Sequence, residues 1–169
     1  VIKVISYEFS RHNQHAYVVT NTNTITEVKL FTDGGSRGNP GPSATGVVIT
    51  DMEDNVVTNT GKYLGITTNN QAEYQAVLQG LQMAKNLGAN TVHVYMDSLL
   101  VVNQMNGIFK IKNRELWPIH QAIKDTLTEF TKVSFTHVPR EMNKRADSEV
   151  NKILDEAEKN DSGLSSELV

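Results

Sequence analysis

Along the 169-residue chain the spacing of apolar and polar positions changes several times, and each change predicts an element. Residues 28–33 (VKLFTD) form a short β-rich run that stops at a turn dense in Gly and Pro, GGSRGNPGP. Two more β-rich runs, roughly residues 44–50 and 55–65, flank the polar turn Asp51 to Asn55. Three successive strands on short turns predict an antiparallel meander. From Thr68 to Leu87 the period becomes helical: Ala72, Ala76, Val77, Ala84 and Leu87 share one stripe, Thr68 and Gln71 form a capping-box pair, and Gly88 supplies the stop. Thr91 to Met96 (TVHVYM) predicts a fourth strand, parallel to its neighbour because a helix separates it from the meander. The run SLLVVNQM is helix-like, and Ile119, Ala122, Ile123, Leu127 and Phe130 repeat at helical spacing behind Pro118. Lys132 to His137 (KVSFTH) is a fifth strand, and Asn143 to Lys159 a final amphipathic helix. The order βββαβααβα implies an α/β fold, a mixed five-stranded sheet with helices packed on its faces.

The two ends carry weaker patterns. Residues 1–27 alternate faintly (Ile5, Tyr7, Phe9) and finish in the polar run TNTNTIT, which suits extra strands followed by a linker. Residues 160–169 read as a frayed tail, leaving 28–159 as the expected main domain. Val1 opens the chain where an initiator Met is missing, as in a processed or excised segment.

Composition excludes some chemistry. There is no Cys, hence no disulfide framework, thiol nucleophile or zinc ribbon, which suits a reducing, cytoplasmic setting. No apolar run approaches the roughly 20 residues of a membrane span. The net charge of −3 is unfavourable for a phosphate-rich partner, but residues 155–169 alone carry −4, so residues 1–154 carry +1. Local bases at Arg37, Lys110/Lys112/Arg114 and Arg140/Lys144/Arg145 permit nucleic-acid binding without demanding it.

Four acids are poorly explained as structural residues. Asp33 and Asp97 each follow a predicted strand, at the end where open α/β sheets hold ligands. At 100° per residue, with Ala72 as zero, Glu73 lies about 100° round, inside an apolar stripe that covers about 0° to 140°. Asp147 falls about 20° from Leu154, at the edge of the stripe of Ala146, Val150, Ile153, Leu154 and Ala157. A carboxylate on a buried face must be paired, protonated or bound to a cation, and no Arg or Lys partner is evident on these faces. Convergence of the four would favour a hard, oxygen-loving ion, Mg²⁺ or Mn²⁺, and several shared carboxylates suit a two-metal site for phosphodiester displacement. Taken singly, each Asp after a strand is equally a turn former or a helix cap.

The blocks Asp33-Gly34-Gly35-Ser36-x-Gly38-Asn39-Pro40-Gly41, Thr68-Asn69-Asn70-Gln71-Ala72-Glu73-Tyr74, Tyr95-Met96-Asp97-Ser98 and His137-Val138-Pro139-Arg140-Glu141-x-Asn143-x-x-Ala146-Asp147 together resemble type 1 ribonuclease H in order and spacing, across residues 28–158. The resemblance implies the ribonuclease H-like fold and an endoribonuclease that hydrolyses the RNA strand of RNA/DNA hybrids, leaving 5′-phosphate and 3′-hydroxyl ends. It assigns Asp33, Glu73, Asp97 and Asp147 as catalytic acids holding two ions, Mg²⁺ or Mn²⁺. It makes Asn39, Asn69 and Asn70 contacts to the RNA strand, where an amide can both donate to and accept from a 2′-hydroxyl, and Thr68 a contact to a DNA phosphate. Asn39 as turn former and Thr68 as helix cap fit the same positions. A mobile basic side chain is implied near the site, with His137 the candidate and Arg140 the alternative; His137 shares strand parity with Val133 and Phe135, which equally suits packing.

Two departures separate the chain from the better-known bacterial members. Leu99 stands where those members often carry Gln, and the segment GIFKIKNRE (107–115) is too short for their basic protrusion. The HVPRE-x-N block resembles the archaeal-like subgroup. The expected form is a monomer with an RNA/DNA hybrid as its partner. Two other readings stand beside an independent nuclease. One is the ribonuclease H domain of a reverse transcriptase, with residues 1–27 a remnant of an upstream domain. The other is a non-catalytic nucleic-acid-binding module on the same fold.

Overall fold

A computed structural model describes residues 4–8, 17–21 and 25–166, with side-chain surroundings for residues 25–160. Strands β1 (Val4–Glu8) and β2 (Tyr17–Asn21) pair antiparallel in a sheet of their own, so part of the N-terminal segment is extended, as its alternation suggests. The main sheet contains β3 (Glu27–Ser36), β4 (Gly41–Thr50), β5 (Val56–Thr67), β6 (Thr91–Met96) and β7 (Lys132–His137), in spatial order β5-β4-β3-β6-β7. The meander β3-β4-β5 is antiparallel, whereas β6 pairs parallel to both β3 and β7. Among the described residues four α-helices complete the domain: α1 (Asn69–Asn86), α2 (Leu99–Met105), α3 (Trp117–Leu127) and α4 (Lys144–Ser166).

Local chemistry accounts for these boundaries. Thr68 caps α1 through its hydroxyl while the Gln71 side chain returns to the Thr68 backbone, and Gly88 (φ +87°) takes the left-handed turn after the helix. Pro118 occupies the first turn of α3, where its missing N–H is harmless. Strands β3 and β4 run further into the Gly-rich turn than their composition suggests, because Arg37 N–H donates to the Pro42 carbonyl (2.8 Å) and keeps the hairpin closed. Helix α4 continues to Ser166, past the expected end at residue 159.

The larger core lies between one face of the sheet and α1–α3. Leu30, Ile49, Tyr74, Leu81, Met96 and Ile123 are fully buried there, and truncating any of the aliphatic ones to Ala should cost about 2–5 kcal/mol. On the opposite face Ala44 packs with Val150 and Leu154 of α4. Both faces of the central strands are therefore covered, and the functional side chains emerge where those strands end.

Candidate active site

The parallel register places Phe31 opposite Tyr95, and two residues further on, past the last β3–β6 pair, come Asp33 and Asp97. Asp97 follows β6 as expected, whereas Asp33 is still inside β3, paired with Gly46, because the hairpin with β4 continues to Ser36. Glu73 joins them because α1 lies directly on β3. A Cβ on Gly34 would sit 2.1 Å from the Glu73 nitrogen and 2.2 Å from the Ala72 carbonyl carbon. Only glycine permits that approach, which turns Glu73 inward in spite of its charge. A matching contact occurs on the other face: a Cβ on Gly46, the antiparallel partner of Asp33, would lie 2.1 Å from the Ala146 carbonyl oxygen of α4. Asp147 follows immediately.

Asp33, Glu73 and Asp97 each offer an oxygen within 4.8 Å of the others. Asp33 and Glu73 are 7% and 5% exposed. The Asp33 carboxyl is pushed up to about 7 by burial first and by the charges of Asp97 and Asp147 second, against a smaller opposing effect of the Gly34 N–H. Burial, then Asp33 and Asp97, also hold the Glu73 carboxyl well above its ordinary range. One Glu73 oxygen (Oε2) is buried with no hydrogen-bond donor. A compact all-oxygen cluster with an unpartnered carboxylate oxygen is the donor set a hard divalent cation fits.

Asp147 lines the same polar cleft of about 370 Å³ but stands apart from the other three. Contrary to the expectation that no basic partner faces these acids, Arg140 Nη2 donates to Asp147 Oδ1 at 2.7 Å. Asn151 Nδ2 donates to its other oxygen at 3.1 Å. The i, i+4 spacing of Asp147 and Asn151 signalled that bond, and sequence reasoning missed it.

Asn143 is a second residue with no role read from the sequence. It is 1% exposed; its Nδ2 donates to the Thr32 carbonyl (3.0 Å) and to Asp97 Oδ1 (3.2 Å), and its own carbonyl accepts the Asp147 N–H (3.2 Å). Its side chain thereby ties Thr32 of β3 to the carboxylate after β6, while its main-chain carbonyl holds the first turn of α4.

The remaining predicted residues distribute around the cleft. Asn39 and Asn69 are exposed at its mouth and bonded to each other, the Asn69 N–H donating to Asn39 Oδ1 at 3.2 Å; Asn69 also lines it. Asn70 is exposed one residue on and borders a neighbouring apolar groove with Leu100, Gln104, Lys110 and Lys112. Thr68 serves as the α1 cap. Arg140 lines the cleft, whereas His137 is exposed at the end of β7 and is not among the cleft residues, so the packing role open to it on strand parity is not observed. Leu99 is 53% exposed at the start of α2. Among the described residues no helix is long and apolar enough to cross a membrane.

Known proteins are similar to this chain in sequence and fold. The family model described as reverse transcriptase-like matches residues 31–153. Ribonuclease HI of Halobacterium salinarum is 39% identical over 130 residues, covering 77% of this chain and 65% of that protein. A bifunctional protein of Mycobacterium tuberculosis is 39% identical over 132 residues, covering 78% of this chain and 36% of its own length. The solved structure of LC11-RNase H1 in complex with an RNA/DNA hybrid is similar with a TM-score of 0.74 at 41% identity, covering 77% of this chain and 98% of that one. The chain thus spans less than two thirds of either sequence relative.

Proposed function

The chain belongs to the type 1 ribonuclease H family, and from that premise we propose that residues 28–159 hydrolyse the RNA strand of RNA/DNA hybrids, acting as a monomer. The observation that carries this reading is the convergence of Asp33, Glu73 and Asp97 around an unpartnered Glu73 oxygen at the strand ends. Asp33, Glu73, Asp97 and Asp147 would hold two divalent cations, Mg²⁺ or Mn²⁺. When bound, these supply Lewis-acid charge to an attacking water and to the departing 3′ oxygen, which leaves 5′-phosphate and 3′-hydroxyl ends.

The protein's own groups orient that chemistry. Arg140 and Asn151 fix the Asp147 carboxylate, and Asn143 fixes Asp97. Asn39, Asn69 and Asn70 read 2′-hydroxyls, a role supported by their exposure at and beside the cleft mouth. Thr68 steadies a DNA-strand phosphate. Arg140, with a side chain 74% exposed while touching Asp147, is the better supported of the two mobile bases, and His137 is the alternative.

The test is cleavage of a labelled RNA/DNA hybrid with Mg²⁺ or Mn²⁺, comparing the wild type with Asp33→Asn. Metal-dependent cutting of the RNA strand alone, lost in the variant, is the expected result. Folded wild-type protein that cuts with neither ion would put the non-catalytic binding module in its place.

A further inference from the structure

Arg37 belongs to the Gly-rich turn four residues after Asp33 and lines the same cleft as Asp33, Glu73, Asp97 and Asp147, yet its charge does not face the cleft unopposed. Its Nη2 bonds Asp155 and its Nη1 lies 2.6 Å from Glu158 Oε1, both on α4. The two acids are 57% and 59% exposed, the arginine 33%. One guanidinium thus faces two carboxylates, and the trio carries a net charge of −1 at the wall of a cleft that must receive a polyanion.

Folding does not require this arrangement. Helix α4 is already seated by Ala146, Val150 and Leu154, all buried, and exposed ion pairs contribute little to stability. The backbone under Arg37 is independently fixed, since its N–H donates to Pro42 O (2.8 Å) and the neighbouring Ser36 Oγ donates to Thr67 O (3.2 Å). What is free to change is the anion that the guanidinium faces. A phosphate offers the same planar pair of acceptors as a carboxylate, and Arg binds both as a fork.

We propose that Arg37 is a phosphate-binding residue for the strand lying across the cleft, and that Asp155 and Glu158 compete with that phosphate for its guanidinium. This rests on the reading of the cleft as a hybrid-binding site. Binding then exchanges two intramolecular partners for one phosphate and returns two solvated carboxylates to water, so α4 lowers affinity for nucleic acid and releases the arginine only to a correctly placed strand.

The experiment measures KM and kcat for hybrid cleavage across a salt series for the wild type, D155N/E158Q, R37A, and R37A/D155N/E158Q, with unfolding midpoints for each. The expected result is a KM lowered about three- to tenfold at low salt in D155N/E158Q, the size of one phosphate contact, with the change in KM rather than kcat. Its log KM against log salt should steepen by about 0.7 to 0.9, the increment for one more neutralised phosphate. Both gains should vanish when Arg37 is also replaced. An unchanged KM and slope in D155N/E158Q with a lowered midpoint would make the trio a structural anchor and overturn the proposal. A gain that survives R37A would reduce it to general charge removal and overturn it equally. Wild type that cleaves no hybrid would overturn the underlying reading, a result distinct from cleavage with unaltered KM in the variants.

Discussion

Asp33→Asn should make the metal-free protein more stable, although it removes a group to which a central role in cleavage is proposed. The Asp33 carboxyl titrates at about 7 against an ordinary 3.8, chiefly because it is buried and secondarily because Asp97 and Asp147 are near. Its folded pKa lies above its unfolded one, so the native state holds the proton more tightly. As pH rises from about 4 to about 7 the unfolded chain releases that proton first, and native stability falls across this window before levelling off. The span between 3.8 and about 7, at about 1.4 kcal/mol per pH unit, sets a ceiling near 4 kcal/mol; relaxation around the charge lowers this to on the order of 2 to 4. For a domain of this size that is about 7 to 14 °C in Tm. The assay is thermal unfolding in EDTA from pH 4 to pH 8, followed by circular dichroism. The variant should match the wild type near pH 4 and exceed it by the full amount at pH 8. Saturating Mn²⁺ should narrow the gap, raising the wild type by about 3 kcal/mol at a hundredfold excess over Kd and the variant by less. A variant no more stable than wild type at pH 8, or a gain that does not vary with pH, would refute the reasoning.

Two more predictions follow from the backbone contacts and hydrogen bonds around the cluster. Gly34→Ala sets a methyl about 2 Å from main-chain atoms of Ala72 and Glu73, so α1 must retreat; stability should drop by about 1–3 kcal/mol or more, and hybrid cleavage should fall by more than unfolding explains, as read by parallel Tm and activity measurements. Asn143→Ala strips the donor from the Thr32 carbonyl and from Asp97, costing about 1–3 kcal/mol in urea denaturation, and should raise the metal concentration needed for half-maximal cleavage. A metal titration curve identical to that of wild type would count against the positioning role of Asn143.

Features repeated along the chain were legible in the sequence; features made by contacts between distant segments were not. Strand β6 was read at its observed bounds because TVHVYM alternates in burial with period two, and α1 because its cap chemistry is local to Thr68 and Gln71. Glu73 was identified by its angle on the wheel and is indeed buried. By contrast, the partners of Arg37 leave no periodic trace, and Arg140 meets Asp147 from outside α4. Arg37 and Asp155 are 118 positions apart, and treating the acidic segment from residue 155 as separable charge overlooked the ion pairs it makes. Parity failed for His137 because β7 is an edge strand, and its last residues project past the cover that buries the central strands. The close approaches at Gly34, within the Gly-rich turn, and at Gly46, within the run 44–50, go unread, since a helix pressing on a strand from elsewhere in the chain has no signature in GGS or ATG.

Gly34 and Gly46 also bear on how the fold tolerates change. Each brings main chain of the sheet against main chain of a helix, at Ala72 on one side and Ala146 on the other, and in each case the next residue is an acid that lines the cleft. The spacing of those acids is therefore referenced to peptide atoms, which are identical in every sequence, in the way a machined part is located by hard stops instead of by its padding. Apolar side chains further along α1 and α4 can drift in size over evolutionary time, or expand with temperature, while the separation between Glu73, Asp33 and Asp147 is held from both sides. A candidate site mounted like this keeps its geometry as long as the two positions without side chains are kept.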